Sequence, residues 1–105
     1  MKTVVHVEGF EKRALKLLGE DATADFIVYL SQHYADGAVI AGTGGFRKLR
    51  WARQHEGKSG GFRVIYFVTV HAVYPVMIYA KNEASNISQA HKNALREAAK
   101  TFKGE

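Results

Sequence analysis

Residues 42–70 read GTGGFRKLRWARQHEGKSGGFRVIYFVTV, and this stretch decides the fold. Two runs of β pattern, 46–52 and 62–70, flank a polar segment carrying Gly57, Gly60 and Gly61, as expected of a long hairpin. Between Phe46 and Arg63 stand six bases (Arg47, Lys48, Arg50, Arg53, Lys58, Arg63) and one acid, Glu56. That local surplus of five equals the net charge of +5 of the whole 105-residue chain. The positive charge is therefore a property of the hairpin.

Side chains alternate across a strand, so Leu49 and Trp51 share one face with Arg47, and Lys48 and Arg50 share the other with Phe46. A core-facing Leu49 and Trp51 would send Lys48 and Arg50 the other way as a matched pair. In the second run Val64, Tyr66 and Val68 alternate with Ile65 and Phe67, both sets apolar, which predicts a central strand covered on both faces. Arg63 stands at its start, where a long cationic side chain can still reach solvent.

Working outward, residues 3–7 alternate in a β-branched run and predict a first strand. Phe10, Ala14, Leu17 and Leu18 follow helical spacing up to Gly19; Asp21 then offers an N-cap for a second helix that buries Phe26, Ile27 and Leu30 and ends before Gly37. Gly42, Gly44 and Gly45 are turn glycines rather than a phosphate loop, because the Gly-Lys-Ser/Thr ending and a following helix are missing. Residues 73–80 predict a last strand with Pro75 near its start, where proline is tolerated. A polar turn follows at 82–86, and Ser88 caps a final helix with Ala94, Leu95, Ala98 and Phe102 on its apolar side. That apolar stripe is thin and rich in alanine, so the helix is expected to dock weakly. The order strand, helix, helix, meander, helix predicts an α+β fold of two layers: an N-terminal strand and helical hairpin packed on a small antiparallel sheet, with a C-terminal helix. The length suits one domain, 1–105.

Composition removes several function classes. With no cysteine in the sequence, disulfides, thiolate metal sites and cysteine nucleophiles are excluded. His6, His33, His55, His71 and His91 lack the usual ligand spacings, so no metal or other cofactor is expected. No Gly-x-Ser-x-Gly elbow or paired carboxylates of a glycosidase are visible. No run approaches the roughly 20 apolar residues of a membrane span, and no signal peptide is apparent, so a soluble, cytoplasmic protein is expected. A pI near 9.6 with its bases on one element fits a polyanion binder. Such a cluster binds RNA and can also cleave it: attack of a 2′-hydroxyl on the adjacent phosphate needs a base, charge stabilisation on the phosphorane and an acid for the leaving 5′-oxygen.

The blocks Gly42-Thr43-Gly44-Gly45-Phe46-Arg47-Lys48-Leu49-Arg50, Gly60-Gly61-Phe62-Arg63-Val64-Ile65-Tyr66 and Ile78-Tyr79-Ala80-Lys81-Asn82-Glu83 resemble the RelE/ParE toxin superfamily, most closely its HigB branch. The resemblance spans about 39–87. It implies the toxin of a type II toxin–antitoxin pair, a metal-independent endoribonuclease that cuts messenger RNA in the ribosomal A site and is held in check by an antitoxin, often of helix-turn-helix type. On matching positions Lys48 and Arg50 become the basic strand pair, Arg63 the phosphorane stabiliser, and Lys81 with Asn82 and Glu83 the polar end of the last strand, the expected catalytic residues being Lys48, Arg50, Arg63, Lys81 and Glu83. Arg47, Arg53, Lys58, Tyr79 and Asn82 are the expected RNA contacts. The sequence departs where some relatives carry arginine at Asn82 and a tyrosine or histidine near Ser88, so the general acid is left among Lys81, Glu83, Tyr79 and His55. Two other functions compete: a ParE-like toxin acting on DNA gyrase without nuclease activity, and an RNA-binding module without chemistry.

Overall fold

The computed structural model describes residues 1–51, 61–81 and 87–104. Of the residues named above, Arg53, His55, Glu56, Gly57, Lys58, Gly60, Asn82 and Glu83 lie outside the described residues, as does the polar turn at 82–86. The elements run β1 (Thr3–Val4), α1 (Glu8–His33), β2 (Ala38–Val39), β3 (Arg47–Trp51), β4 (Phe62–Val68), β5 (Ala72–Ala80) and α2 (Gln89–Lys103). The strands form one sheet in the order β1-β5-β4-β3-β2.

Pairs β2–β3, β3–β4 and β4–β5 are antiparallel, whereas β1 lies parallel to β5, so the sheet is mixed rather than purely antiparallel. The first strand is also shorter than the alternation over 3–7 predicts. Val5 still donates its N–H to Val73 O at 2.9 Å. In this register the next bond of the parallel ladder would come from the N–H of residue 75, and proline has none. Pro75 thus sets the length of β1. Beyond it, Arg13 Nε donates to Ile78 O at 2.9 Å and occupies part of the edge that β1 leaves uncovered.

The two predicted N-terminal helices form one element interrupted at Gly19, whose φ of 84° and ψ of 174° lie outside helical space. A side chain there would be strained in the left-handed half of the map, so the break falls on the residue that tolerates it. Phe10, Ala14, Phe26 and Leu30 from the two arms bury against Leu49, Val64, Tyr66, Val73 and Ile78 on one face of the sheet. Each such side chain contributes on the order of 1.5–3 kcal/mol when large and fully buried. Trp51 meets Phe26 edge-on, with centroids 5.4 Å apart. The end of α1 is tied to the sheet by Tyr66, whose Oη accepts from Gly37 N at 3.0 Å and donates to Tyr34 O at 2.8 Å.

The opposite face is covered by α2, so the layers number three instead of the expected two. Leu95 and Ala99 pack on Phe46, Ile65, Phe67 and Tyr79, with Phe102 stacked on Phe67 at 5.2 Å. Ala99 replaces Ala94, which is exposed, on the buried stripe. Ser88 does cap this helix: its side chain accepts from His91 N at 3.1 Å. Central β4 is covered on both sides, Val64 and Tyr66 facing α1 while Ile65 and Phe67 face α2.

One irregularity positions the site. Between Ile65 and Tyr66 the β4–β5 register shifts, Ile65 pairing with Met77 and Tyr66 with Pro75. The extra residue, Val76, reverses the alternation of β5, so that Ile78 enters the α1 core and Tyr79 the α2 side.

Candidate nucleic-acid interface

Strand β3 alternates as its composition demands. Leu49 is buried under α1, and Lys48 and Arg50 therefore project from the face that carries Phe46 and α2. Cross-strand register then fixes their neighbours. Arg50 pairs with Arg63, and Arg63 pairs with Tyr79, giving a row of three side chains across three strands on one face; Lys48, Ile65 and Met77 form the next row. Directly opposed residues have Cβ atoms about 4.5–5.5 Å apart, so this row spans about 9–11 Å.

Gly61, which the sequence presents only as a loop glycine, is the floor of this row. It accepts a 3.2 Å hydrogen bond from Lys81 N, so the backbone of Lys81 lies beside it. A Cβ placed on Gly61 would stand 2.9 Å from Arg50 Nε and 3.4 Å from Arg63 Nη1. Both guanidinium groups therefore lean over the space a side chain would fill. Nothing local in the sequence signals this role, because it depends on which residue the hairpin register brings opposite.

Two polar atoms of the row are buried without a hydrogen-bond partner among the described residues: Arg63 Nη1 and Tyr79 Oη. Leaving a buried donor unsatisfied costs about 1–3 kcal/mol, more for a charged group. Like charges directly opposed on a sheet, as Arg50 and Arg63 are, also repel. Burial pushes the Tyr79 hydroxyl above the ordinary tyrosine value while the charge of Arg63 pulls the other way, so this group is a neutral O–H donor at physiological pH. The sequence leaves Tyr79 open between a hydrogen-bonded core aromatic and a site residue. Its unpartnered hydroxyl is what the core reading does not account for.

The remaining candidates separate. Lys81 is exposed two residues beyond Tyr79, at the same end of the sheet. Arg47 lies on the opposite face, its Nη1 donating to Gly37 O at 2.7 Å, where it fastens the segment after α1. The glycine turn before β3 closes on itself: Ile40 N donates to Phe46 O at 2.8 Å, and Thr43 Oγ1 donates to Ile40 O while accepting from Phe46 N. Its Gly44 has a φ of 78° and sits where a Cβ would meet Ala99 Cβ at 2.9 Å, so it serves the seating of α2.

The arrangement, a mixed sheet between two helical layers with cations lined up across one face, defines a class of small basic α+β domain. The comparison with known families narrows this. Residues 10–105 match the family model described as the RelE toxin of the RelE / RelB toxin–antitoxin system. The chain belongs to that family: it is a toxin of a toxin–antitoxin system, and an antitoxin is its partner. Among the described residues no helix is long and apolar enough to cross a membrane.

Proposed function

We propose that this toxin is a metal-independent endoribonuclease that enters the ribosome in the cytoplasm and cuts messenger RNA at the A site. The observation that carries the reading is the Arg50–Arg63–Tyr79 row, with Arg50 Nε and Arg63 Nη1 both beside the space over Gly61 and with Arg63 Nη1 and Tyr79 Oη lacking a hydrogen-bond partner among the described residues. In this reading the scissile phosphate sits between the guanidinium groups of Arg50 and Arg63, which stabilise the added negative charge as the 2′-oxygen attacks phosphorus. Tyr79 donates its O–H to a non-bridging oxygen. Lys48, one row along the same face, and Lys81, beyond Tyr79, flank the phosphate on two sides as candidates for proton transfer at the 2′-hydroxyl and the 5′-oxygen. Glu83 and Asn82 follow Lys81 directly in sequence and complete the proposed catalytic and RNA-contacting set, with Arg53 and Lys58, between β3 and β4 in sequence, as further candidate RNA contacts.

The test is the Arg63→Ala variant, induced in cells and followed by growth and by mapping of message 5′ ends. The expected result is loss of growth inhibition and of new ends, with the far-ultraviolet dichroism of the purified variant unchanged. Full toxicity in a folded Arg63→Ala protein would sink the assignment. Growth arrest by wild type without new RNA ends, accompanied by loss of DNA supercoiling, would transfer the reading to gyrase.

A further inference from the structure

At the other end of β4, about 17 Å of strand away from Arg63, a cleft of about 670 Å³ opens between the β4–β5 turn, β2 and the last turn of α2. Its floor is aromatic and aliphatic: Phe67 and Phe102, stacked at 5.2 Å, with Val68 beside them. Two of the large apolar side chains that the described residues leave in solvent, Val39 at 59 % and Val70 at 83 % exposure, stand on its walls. Its cationic lining is Arg47 and Lys103, with His71 beside them and no carboxylate among the described residues. Lys2 adds a further cation at the rim, its Nζ donating to Thr69 O at 3.0 Å and Val70 O at 2.8 Å, which also holds the turn in place.

We infer that this cleft is a docking site for the antitoxin, taking an acidic segment that inserts a bulky apolar side chain between Val39 and Val70 onto Phe67 and Phe102. The chemistry of the occupant follows from the lining. An apolar floor with exposed valines on both walls gains free energy by losing water to another apolar group, which a nucleic acid backbone does not supply. The cationic rim of Arg47, Lys103 and Lys2 selects carboxylates around that group and steers their approach. The inference rests on the partner that the family defines and not on RNA cleavage.

The experiment measures binding of the full-length toxin to its antitoxin, the product of the adjoining reading frame, by titration calorimetry. Val70→Glu and Lys103→Glu alter exposed residues, so folding is preserved and is checked by thermal melting. Each is expected to weaken binding about tenfold or more, and the wild-type affinity is expected to fall with added salt. Arg63→Ala, on the cationic row, and Val28→Glu, an exposed α1 residue away from this cleft, are expected to bind within about threefold of wild type. Wild-type affinity in both cleft variants, or no binding of that antitoxin to the wild-type chain, would overturn the inference. Loss of ribosome association in the cleft variants with antitoxin binding intact would overturn it as well and give the cleft to RNA. Because the Arg63→Ala arm reads the row separately, failure at the cleft leaves the nuclease reading standing, and the reverse holds too.

Discussion

Replacing Gly61 by alanine separates the chemistry of the site from the stability of the fold. Gly61 is outside the left-handed region, so alanine introduces no backbone strain. Its methyl group would lie 2.9 Å from Arg50 Nε and 3.4 Å from Arg63 Nη1, where ordinary contact needs 3.4–4 Å. The Arg50 guanidinium must therefore retreat by about 0.5–1 Å, and the space between the two cations closes. Misplacing a catalytic group by about 1 Å costs up to about 100-fold in rate, so cleavage is expected to fall 10- to 100-fold, equivalent to about 1.4–2.7 kcal/mol of barrier. Stability is expected to move by less than about 1 kcal/mol, since the obstructing atoms belong to flexible side chains and the lost glycine freedom favours the folded state. Single-turnover cleavage of message on programmed ribosomes measures the first quantity and urea unfolding the second. Wild-type cleavage by a stably folded Gly61→Ala protein would refute the convergence of the guanidiniums as the source of activity. A loss of several kcal/mol in stability would show that Gly61 is a packing residue instead.

Other consequences concern the frame. Tyr66→Phe removes the acceptor for Gly37 N and the donor to Tyr34 O, so a loss of about 1–3 kcal/mol is expected in urea unfolding; an unchanged midpoint would show that the end of α1 is held by other contacts. Burial raises the Tyr66 and Tyr79 hydroxyls above their unfolded value near 10. Their contribution to stability is therefore complete below about pH 10 and is lost as pH rises through the higher folded values. The unfolding free energy should decline across that alkaline window, and less steeply in a Tyr66→Phe, Tyr79→Phe double variant; identical slopes would contradict the assignment. Gly44→Ala combines a φ of 78° with a methyl clash against Ala99, so α2 is expected to detach first, visible as faster proteolysis after residue 88 than in the wild type.

The parts of this architecture that depend on neighbours along the chain were legible in the sequence. Alternation alone sorted Leu49 from Lys48 and Arg50, and placed β4 in the middle of the sheet. The break at Gly19 and the cap at Ser88 follow from backbone freedom and side-chain reach within a few residues. What escaped the sequence depends on register between strands. Pro75 cuts β1 short only because parallel pairing asks residue 75 for an N–H. Val76 reverses the phase of β5 only because β4 pairs around it, and without that bulge Ile78 would replace Tyr79 beside Arg63. Strand β2 was missed because two exposed residues, Ala38 and Val39, carry no periodicity to read. The three-layer arrangement was missed because a stripe of Leu95 and Ala99 is the same whichever face of the sheet receives it. In the site, like-facing Lys48 and Arg50 were readable, whereas the floor at Gly61 and the unpartnered Tyr79 hydroxyl belong to the assembled sheet. Arg47 shows the converse: a base in the richest charged run is turned away from its neighbours by the same alternation and ends on backbone carbonyls.

The central claim is that cations fixed on one face of the sheet meet a scissile phosphodiester within the ribosome. Purified toxin added to programmed ribosomes with a defined codon in the A site, followed by sequencing of the RNA ends and their termini, tests it most directly. The expected result is a new break at that codon carrying a 2′,3′-cyclic phosphate and a 5′-hydroxyl, formed in the presence of a chelator and abolished by Arg63→Ala. An intact message on a translation complex saturated with toxin, or the same break in the Arg63→Ala protein, would contradict it.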